Sequence, residues 1–187
     1  IVKPEIVMDW VVKYVLLATQ IEKNLLIQKR LDMKILGIGN AIVDVICKVD
    51  DSFIEQNNLT KSTMKLFFDE NEFKNLLTNL KIEKTVSGGS VANSIVGLSQ
   101  LGDEVGFIGK VSDDDFGKKY EEGLKKENVE YFYSKKKEEL PTGTCLILVT
   151  PDSERTMCTF LGTAGKINEN DLSSDAIKRS EIIFLEG

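Results

Sequence analysis

The sequence of 187 residues contains no histidine and few cysteines. Without an imidazole, catalysis by a Ser-His-Asp or Cys-His arrangement is excluded, and so are histidine-based metal sites. Three cysteines, Cys47, Cys145 and Cys158, lie far apart and form no CxxC pair. This spacing indicates neither a zinc site nor a disulfide framework, and it is typical of a reducing compartment. We therefore expect a cytoplasmic protein with no metal site in this chain.

An excess of positive charge is also missing. The chain has 24 Lys and Arg against 30 Asp and Glu, a net charge of -6. Nucleic-acid binding needs clustered cations that neutralise phosphates, so no nucleic-acid partner is expected. The apolar stretch 10–18 is interrupted by Lys13 and is shorter than the ~20 residues that span a bilayer. No membrane partner is expected either, and the composition favours an enzyme with a small-molecule ligand.

The two ends of the chain differ from its middle. Residues 1–32 end in a polar helical pattern, and Met33 directly precedes a strand-like run. We interpret 1–32 as a leader or non-native extension, with a native amphipathic extension as the alternative. Near the other end, the strand-like run 182–185 stops just before Gly187, where a buried strand would be left unpaired. We interpret 33–187 as the N-terminal part of a longer domain.

From residue 33 onward, apolar runs alternate with helical periodicity, which predicts an α/β fold with a parallel sheet covered by helices. The predicted strands are 35–39, 42–49, 64–68, 105–111, 131–134, 144–150, 156–161 and 182–185. The predicted helices are a short turn at 53–57, then 69–80, 90–101, 116–127 capped by Asp115, and a last one from Asn168 or Asn170 to Arg179. A hairpin around 151–153 breaks the alternation and predicts a small additional β-sheet, as a lid would form.

The first candidate site follows the first predicted strand. A GxG occurs there, but Ile42 stands where the third glycine of a dinucleotide-binding loop belongs, so a Rossmann site is disfavoured. Asn40 and Asp44 lie just past the carboxyl end of that strand, where open α/β sheets bind ligands. An amide and a carboxylate there can hydrogen-bond vicinal hydroxyls. The alternative is a turn-forming asparagine and a solvated aspartate.

A second candidate site is the junction Gly88-Gly89 before the helix 90–101. Two glycines permit positive φ and a close approach of backbone to ligand. The helix N-terminus presents free N–H groups, and Asn93 lies in its first turn. A plain loop-to-helix junction is the alternative. No GxxxxGK[ST] phosphate loop is present.

Two residues of the predicted hairpin complete the candidates. Cys145 is either an ordinary buried cysteine or a ligand contact. Arg155, beside the hairpin turn, is either a surface charge or a cation that meets a phosphate when a lid closes.

Taken in order, these segments resemble the ribokinase/PfkB family of sugar and nucleoside kinases, and more closely its adenosine kinase branch. The matching motifs, within about 33–187, are Gly39-Asn40-x3-Asp44, Gly88-Gly89-Ser90-x2-Asn93, Leu101-Gly102, Phe107-Ile108-Gly109-Lys110-Val111, Asp114-x-Phe116-Gly117 and Thr142-Gly143-Thr144-Cys145. The resemblance implies a ribokinase-like core, a parallel sheet flanked by helices, with a small β-sheet lid and a C-terminal truncation.

The resemblance also implies roles for the candidates. Asn40 and Asp44 would hold ribose hydroxyls. Gly88, Gly89 and Asn93 would frame the sugar, with the glycine pair as the hinge of the lid.

By the same resemblance, Cys145, Met157 and Thr159 would lie beside the nucleoside, and Arg155 would help close the site over phosphate. The family's second motif, DTxGAGD, which supplies the catalytic base and the anion hole, is absent. We therefore expect the base beyond Gly187 and no activity from this chain alone.

The resulting hypothesis is an ATP-dependent kinase of a nucleoside, with adenosine favoured. A sugar kinase for a ribose- or fructose-like substrate is the first alternative, and a non-catalytic α/β ligand-binding module is the second. The family implies ATP with Mg²⁺, sometimes a monovalent cation, and in some relatives a homodimer formed through the lid. No metal site is assigned to this chain, and the acidic pair Asp113-Asp114 is expected to cap a helix.

Overall fold

The computed structural model describes residues 19–20, 33–134 and 136–186. The predicted leader, residues 1–32, therefore lies outside the described residues except for 19–20. No helix in the described part is long and apolar enough to cross a membrane. The description below begins at Met33.

The first sheet has four parallel strands in the order β6-β5-β1-β9. They are β1 (Met33–Ile38), β5 (Val105–Ile108), β6 (Glu130–Tyr131) and β9 (Ser180–Leu185). Strands β1 and β5 are short apolar runs and are largely buried, as is typical of parallel strands covered by helices. The predicted parallel core sheet is confirmed.

The second sheet has five strands in the order β3-β8-β7-β2-β4. They are β2 (Ile42–Lys48), β3 (Met64–Phe67), β4 (Ile82–Gly88), β7 (Gly143–Val149) and β8 (Arg155–Phe160). Strands β7 and β8 form the predicted antiparallel hairpin. This sheet is larger than the small addition that the sequence predicted, because β2, β3 and β4 also join it.

Five helices connect these strands: α1 (Asp51–Gln56), α2 (Glu70–Thr78), α3 (Ser90–Gln100), α4 (Asp115–Lys126) and α5 (Ser174–Arg179). Apolar side chains of α2, α3 and α4 join one hydrophobic cluster with the inner face of the second sheet and the β5 side of the first. The side chains Val43, Val45, Leu146 and Leu148 of that inner face are almost completely buried. The two sheets therefore share a core.

Several predicted boundaries were wrong. The cap of α4 is Asp114, whose carboxylate accepts from the Gly117 amide, which confirms the capping role expected of the pair Asp113-Asp114, and not Asp115, which lies inside the helix. The region from Asn168 forms a 3-10 turn, and α5 begins only after Ser173, whose hydroxyl accepts from the Ala176 amide. Both corrections arise because short polar side chains compete as caps, and the tertiary position of the helix decides among them.

Strand assignments differ from the prediction at three places. Strand β4 was not predicted, because it is an edge strand whose first residues, Ile82 to Lys84, are exposed and show no apolar period. The predicted strand 105–111 ends at Ile108. The segment 131–134 contributes only Tyr131 as a strand residue, and this residue pairs with Phe107 in the first sheet.

All four connections between the two sheets meet at one end of the second sheet. Ile42, the first residue of β2, pairs with both Gly88 and Gly143, and Thr144 pairs with Phe160 near the end of β8. The starts of β2 and β7 and the ends of β4 and β8 therefore lie side by side. This line of crossings has the geometry of a hinge between the sheets.

Candidate functional site

The two glycines predicted as a site lie where β4 leaves the second sheet and α3 begins. Gly89 is the N-cap of α3, with φ 98° and ψ 140°, a conformation that side chains disfavour. A Cβ on Gly89 would also overlap the Asn40 carbonyl oxygen. The crossings β1 to β2 and β4 to α3 therefore touch, and only glycine fits between them.

Asp44 lies in the middle of β2, and its carboxylate sits against Gly88. A Cβ on Gly88 would overlap both carboxylate oxygens. The side chain is half-buried, and burial raises the pKa of Asp44 from 3.8 to about 6. Within residues 33–134 and 136–186, no donor forms a hydrogen bond or ion pair with this carboxylate. Asp44 is thus a partly desolvated hydrogen-bond acceptor packed directly against the backbone of Gly88.

Cys145 and Thr159 lie in a row with Asp44 across three neighbouring strands. The register pairs Asp44 with Cys145 and Cys145 with Thr159, so all three point to the same face. The Thr159 hydroxyl donates to Cys145 Sγ at 3.3 Å. Burial raises the pKa of Cys145 to about 11, and the negative charge of Asp44 adds to this. The thiol therefore stays protonated at neutral pH.

The face that carries this row is the less buried face of the second sheet, which we call the open face. Its apolar members include the exposed side chains Met64, Val86 and Met157, which are 40–59% exposed, and the half-buried Leu66 and Ile147. Met157, which is 40% exposed, lies two residues from Thr159 along β8 toward the hairpin turn, on the same face. The open face thus combines an isolated carboxylate with an apolar surface.

Arg155 and Asn93 stand apart from the row. Arg155 is exposed and pairs with Val149 at the hairpin end of β8. Four residues of strand separate it from Thr159, or about 13 Å at about 3.3 Å per residue. Asn93 lies in the first turn of α3. Its backbone N–H donates to the Gly89 carbonyl at 2.9 Å, and its side chain is exposed. Of the predicted residues, Gly88, Cys145 and Thr159 therefore lie beside Asp44 or in its row, whereas Arg155 and Asn93 do not.

Two residues that sequence reasoning missed, Ser90 and Glu186, lie at the carboxyl end of β1, next to Asn40. Glu186 follows β9, which is parallel to β1, so its backbone reaches the end of β1 and its amide donates to Ile38 at 3.3 Å. The Ser90 hydroxyl at the start of α3 donates to Glu186 Oε2 at 2.7 Å. The position of Glu186 after a strand was the available signal, because parallel strands end at one edge. Asn40, Ser90 and Glu186 therefore share that edge.

A buried charge cluster lies at the end of β5 and is not part of the row. Lys110 Nζ lies 3.1 Å from an Asp171 oxygen and 3.4 Å from a Glu138 oxygen, and the Tyr133 hydroxyl donates to Glu138 at 2.7 Å. The Lys110 and Asp171 side chains are 7% and 2% exposed. Their charges neutralise one another, so the cluster ties the 3-10 turn to the first sheet.

No group of three or more His, Cys, Asp or Glu side chains in the described part of the chain is arranged to hold a metal ion. The described residues therefore offer no set of ligands for a magnesium ion. The row at Asp44 supplies one carboxylate, which suits a hydroxylated ligand better than a cation that needs several oxygen ligands.

The described part of the chain is thus an α/β structure of two sheets, with glycines at the crossings between the sheets and the Asp44 carboxylate beside them. A model of the pfkB family of carbohydrate kinases matches residues 34–187. The chain belongs to the pfkB carbohydrate kinase family, and its architecture is the ribokinase-like fold.

Similar proteins include both nucleoside and sugar kinases. The structure of adenosine kinase from Sinorhizobium meliloti superposes with a TM-score of 0.74 at 32% identity, over 82% of this chain and 47% of that one. A probable sugar kinase from Rhizobium etli CFN 42 gives 0.74 at 30%, over 82% and 46%. A 5-dehydro-2-deoxygluconokinase from Mesomycoplasma hyopneumoniae strain 232 is 30% identical over 122 residues, 64% of this chain and 36% of its own. The chain thus spans less than half the length of each.

Proposed function

We propose that the protein containing this chain transfers the γ-phosphate of ATP to the hydroxymethyl group of a nucleoside, with adenosine favoured. The observation that carries the proposal is the half-buried Asp44 carboxylate, which no donor satisfies in the described part of the chain and which lies against Gly88. Such a group needs hydroxyl donors from a ligand to offset its desolvation. The likeness to an adenosine kinase structure at 32% identity adds support.

In this proposal the chain binds and orients the acceptor alcohol. Asp44 accepts hydrogen bonds from two neighbouring ribose hydroxyls, and the Asn40 amide contributes to the same pair. Gly88, Gly89 and Asn93 frame the sugar at the start of α3. Cys145, Thr159 and Met157 contact the base of the nucleoside on the open face, while Arg155 approaches phosphate only when the second sheet moves.

Phosphoryl transfer depends on positioning and on stabilising developing charge, so an oriented alcohol is a substantial part of catalysis. We assign the general base and the nucleotide site to residues outside this chain, because its sequence lacks DTxGAGD. ATP with Mg²⁺, and a monovalent cation, are proposed cofactors of the whole protein. The described residues contain no metal-holding cluster, so none of them is assigned to either ion.

A sugar kinase is the second candidate. Relatives at 30% identity are a 5-dehydro-2-deoxygluconokinase and a probable sugar kinase. A carboxylate with an amide suits vicinal hydroxyls of either substrate. The apolar members of the open face favour a ligand with a flat apolar part, which a nucleoside has and a free sugar lacks.

A substrate panel tests the proposal. The whole protein is supplied with ATP and Mg²⁺ and with adenosine, ribose, fructose or 5-dehydro-2-deoxygluconate, and ADP formation is measured. We expect kcat/KM for adenosine to exceed that of every sugar. Higher kcat/KM for a sugar would favour the second candidate, and saturable binding without turnover would leave a non-catalytic ligand-binding module. Residues 33–187 alone, as the matched control, are expected to show no turnover above background.

We also propose that the whole protein is cytoplasmic and forms a homodimer through the β3 edge of the open face, outside the residues that contact the nucleoside. Met64, on the edge strand β3, is 59% exposed. Sedimentation of the wild-type protein against Met64→Lys tests this, since a charge in a shared apolar face would dissociate the dimer.

A further inference from the structure

A buried tyrosine holds the peptide unit at the hinge. Tyr120 of α4 is fully buried, and its hydroxyl donates to the Gly88 carbonyl at 3.2 Å. In return, the Ser87 hydroxyl donates to the Tyr120 carbonyl at 3.0 Å. Two hydrogen bonds of opposite direction therefore join α4 to the last two residues of β4.

Packing alone does not account for a tyrosine at this place. The Tyr120 ring lies among Phe107 and Tyr131, with centroids 6.2 and 6.0 Å away, where a phenylalanine would fill the same space. A buried hydroxyl costs free energy unless it is hydrogen-bonded, and the acceptor here is Gly88. The hydroxyl therefore serves to hold that carbonyl.

The hydrogen bond to the Gly88 carbonyl also determines where the N–H of the next residue, Gly89, points. The peptide between Gly88 and Gly89 is planar and trans, so the direction of the Gly88 C=O determines the direction of the Gly89 N–H. Gly89 begins α3, and Gly88 lies against the Asp44 carboxylate. Without this anchor, the pairing of Gly88 with Ile42 would remain, but two consecutive glycines would allow this peptide unit more rotation than other residues would.

We infer that Tyr120 is a positioning residue, which orients the Gly88–Gly89 peptide so that the Gly89 N–H and the Asp44 carboxylate present a fixed pair of polar groups to the acceptor alcohol. This role rests on the proposed kinase function. It acts through Gly88 and requires no contact between Tyr120 and the substrate.

Tyr131 provides a matched control. It belongs to the same ring cluster, and its hydroxyl donates to a different glycine carbonyl, that of Gly109, at 2.6 Å. Tyr131→Phe therefore removes an equivalent hydrogen bond from the same cluster without affecting the Gly88–Gly89 peptide. Differences between Tyr120→Phe and Tyr131→Phe report on the hinge and not on general loss of packing.

The test uses the whole protein with both substitutions. In Tyr120→Phe we expect the KM for the acceptor alcohol to rise about 3- to 10-fold, the effect of one neutral hydrogen bond, with the KM for ATP unchanged. Tyr131→Phe should lower the melting temperature comparably and leave both KM values unchanged. Equal KM changes in the two variants, or none in Tyr120→Phe, would overturn the inference.

Hydrogen–deuterium exchange separates this inference from the proposed function. Peptides covering 86–93 should exchange faster in Tyr120→Phe and at the wild-type rate in Tyr131→Phe. If the wild-type protein phosphorylated no alcohol, the kinase proposal would fail. Unchanged exchange in Tyr120→Phe would then show independently that Tyr120 does not hold the peptide.

Discussion

Replacing Asp44 by asparagine should make the protein more stable and less active. Asparagine has nearly the same shape but no charge, so it removes the cost of a half-buried carboxylate beside Gly88. It also replaces a charged carboxylate, which accepts through two oxygens, with a neutral amide that accepts through one, so the hydroxyls of a ligand are held more weakly. The two effects have opposite signs, and a purely structural role for Asp44 would not produce both.

The stability effect follows from the pKa of Asp44, which burial raises from 3.8 to about 6. At about 1.4 kcal/mol per unit this shift corresponds to about 3 kcal/mol, which solvent screening of the exposed part reduces to about 1–2 kcal/mol. Folding raises the pKa of Asp44, so the wild-type protein is most stable with respect to this group below pH 3.8, where Asp44 is protonated in both states. That contribution to the free energy of unfolding is lost as the pH rises through about 6 and the carboxyl ionises in the folded protein. Asp44→Asn should therefore match the wild type near pH 3.5 and exceed its free energy of unfolding at pH 7.

The activity effect follows from the loss of a charged acceptor. Hydrogen bonds to charged groups contribute about 1.5–3 kcal/mol, or about 10- to 150-fold in kcat/KM for the alcohol. In the wild type, kcat/KM should also fall as the pH drops below about 6, because protonated Asp44 loses acceptor capacity. The variant should lack this acidic limb.

The assays are urea unfolding from pH 3.5 to 8 and steady-state phosphorylation of adenosine by the whole protein. Asp152→Asn is the control, because the pKa of Asp152 is lowered and the expected change in stability is opposite to that of Asp44→Asn. A hydrogen bond from Lys61 lowers the pKa of Asp152 to about 2, so that substitution should reduce stability at pH 7 and lose its effect as the pH falls toward 2. The reasoning would be refuted if Asp44→Asn were less stable than the wild type at pH 7 or retained full activity.

Two further substitutions test the hinge and the charge cluster. Gly89→Ala should cost about 1–3 kcal/mol through its backbone conformation alone and abolish most activity, whereas Gly97→Ala, whose Cβ would meet open space within α3, should gain about 0.5–1 kcal/mol. Equal unfolding midpoints for the two would contradict this. Lys110→Met should cost up to about 3–5 kcal/mol because it removes the buried cation from Asp171 and Glu138 and leaves them only the exposed Lys136, 3.7 Å from each, whereas Lys34→Met at an exposed pair should change the melting temperature little. Similar melting temperatures would show that the cluster is not stabilising.

Much of the fold could be predicted from local sequence. Strands β1 and β2 and helix α3 were placed within a residue or two, because apolar periodicity and the glycine pair mark them independently of the rest of the chain. Strand β4 escaped prediction, since an edge strand with one open face has little apolar pattern. The sequence named both Asp115 and the pair Asp113-Asp114 as caps near α4, and only the position of the helix distinguishes Asp114 among the three consecutive aspartates.

In the candidate site, too, some residues could be predicted from the sequence and others are brought together only by the tertiary structure. Asn40, Asp44 and the glycine pair follow recognisable elements, so sequence indicated them, although their roles remain predictions. The row from Asp44 to Thr159 depends on the register of three strands. Tyr120 carried no local signal, and Glu186 carried only its position after a strand, because each acquires its neighbours only when distant segments meet.

By itself, then, the sequence determined the chemistry available to this protein: no imidazole, one glycine pair before a helix, and a few polar residues after strands. The tertiary structure decided which of those groups meet. Asp44 is an ordinary aspartate in the chain and becomes a raised-pKa acceptor only because β2 is buried between β4 and β7. Register and burial come from the summed contacts of whole sheets, and a one-residue slip of β2 would turn Asp44 to the opposite face.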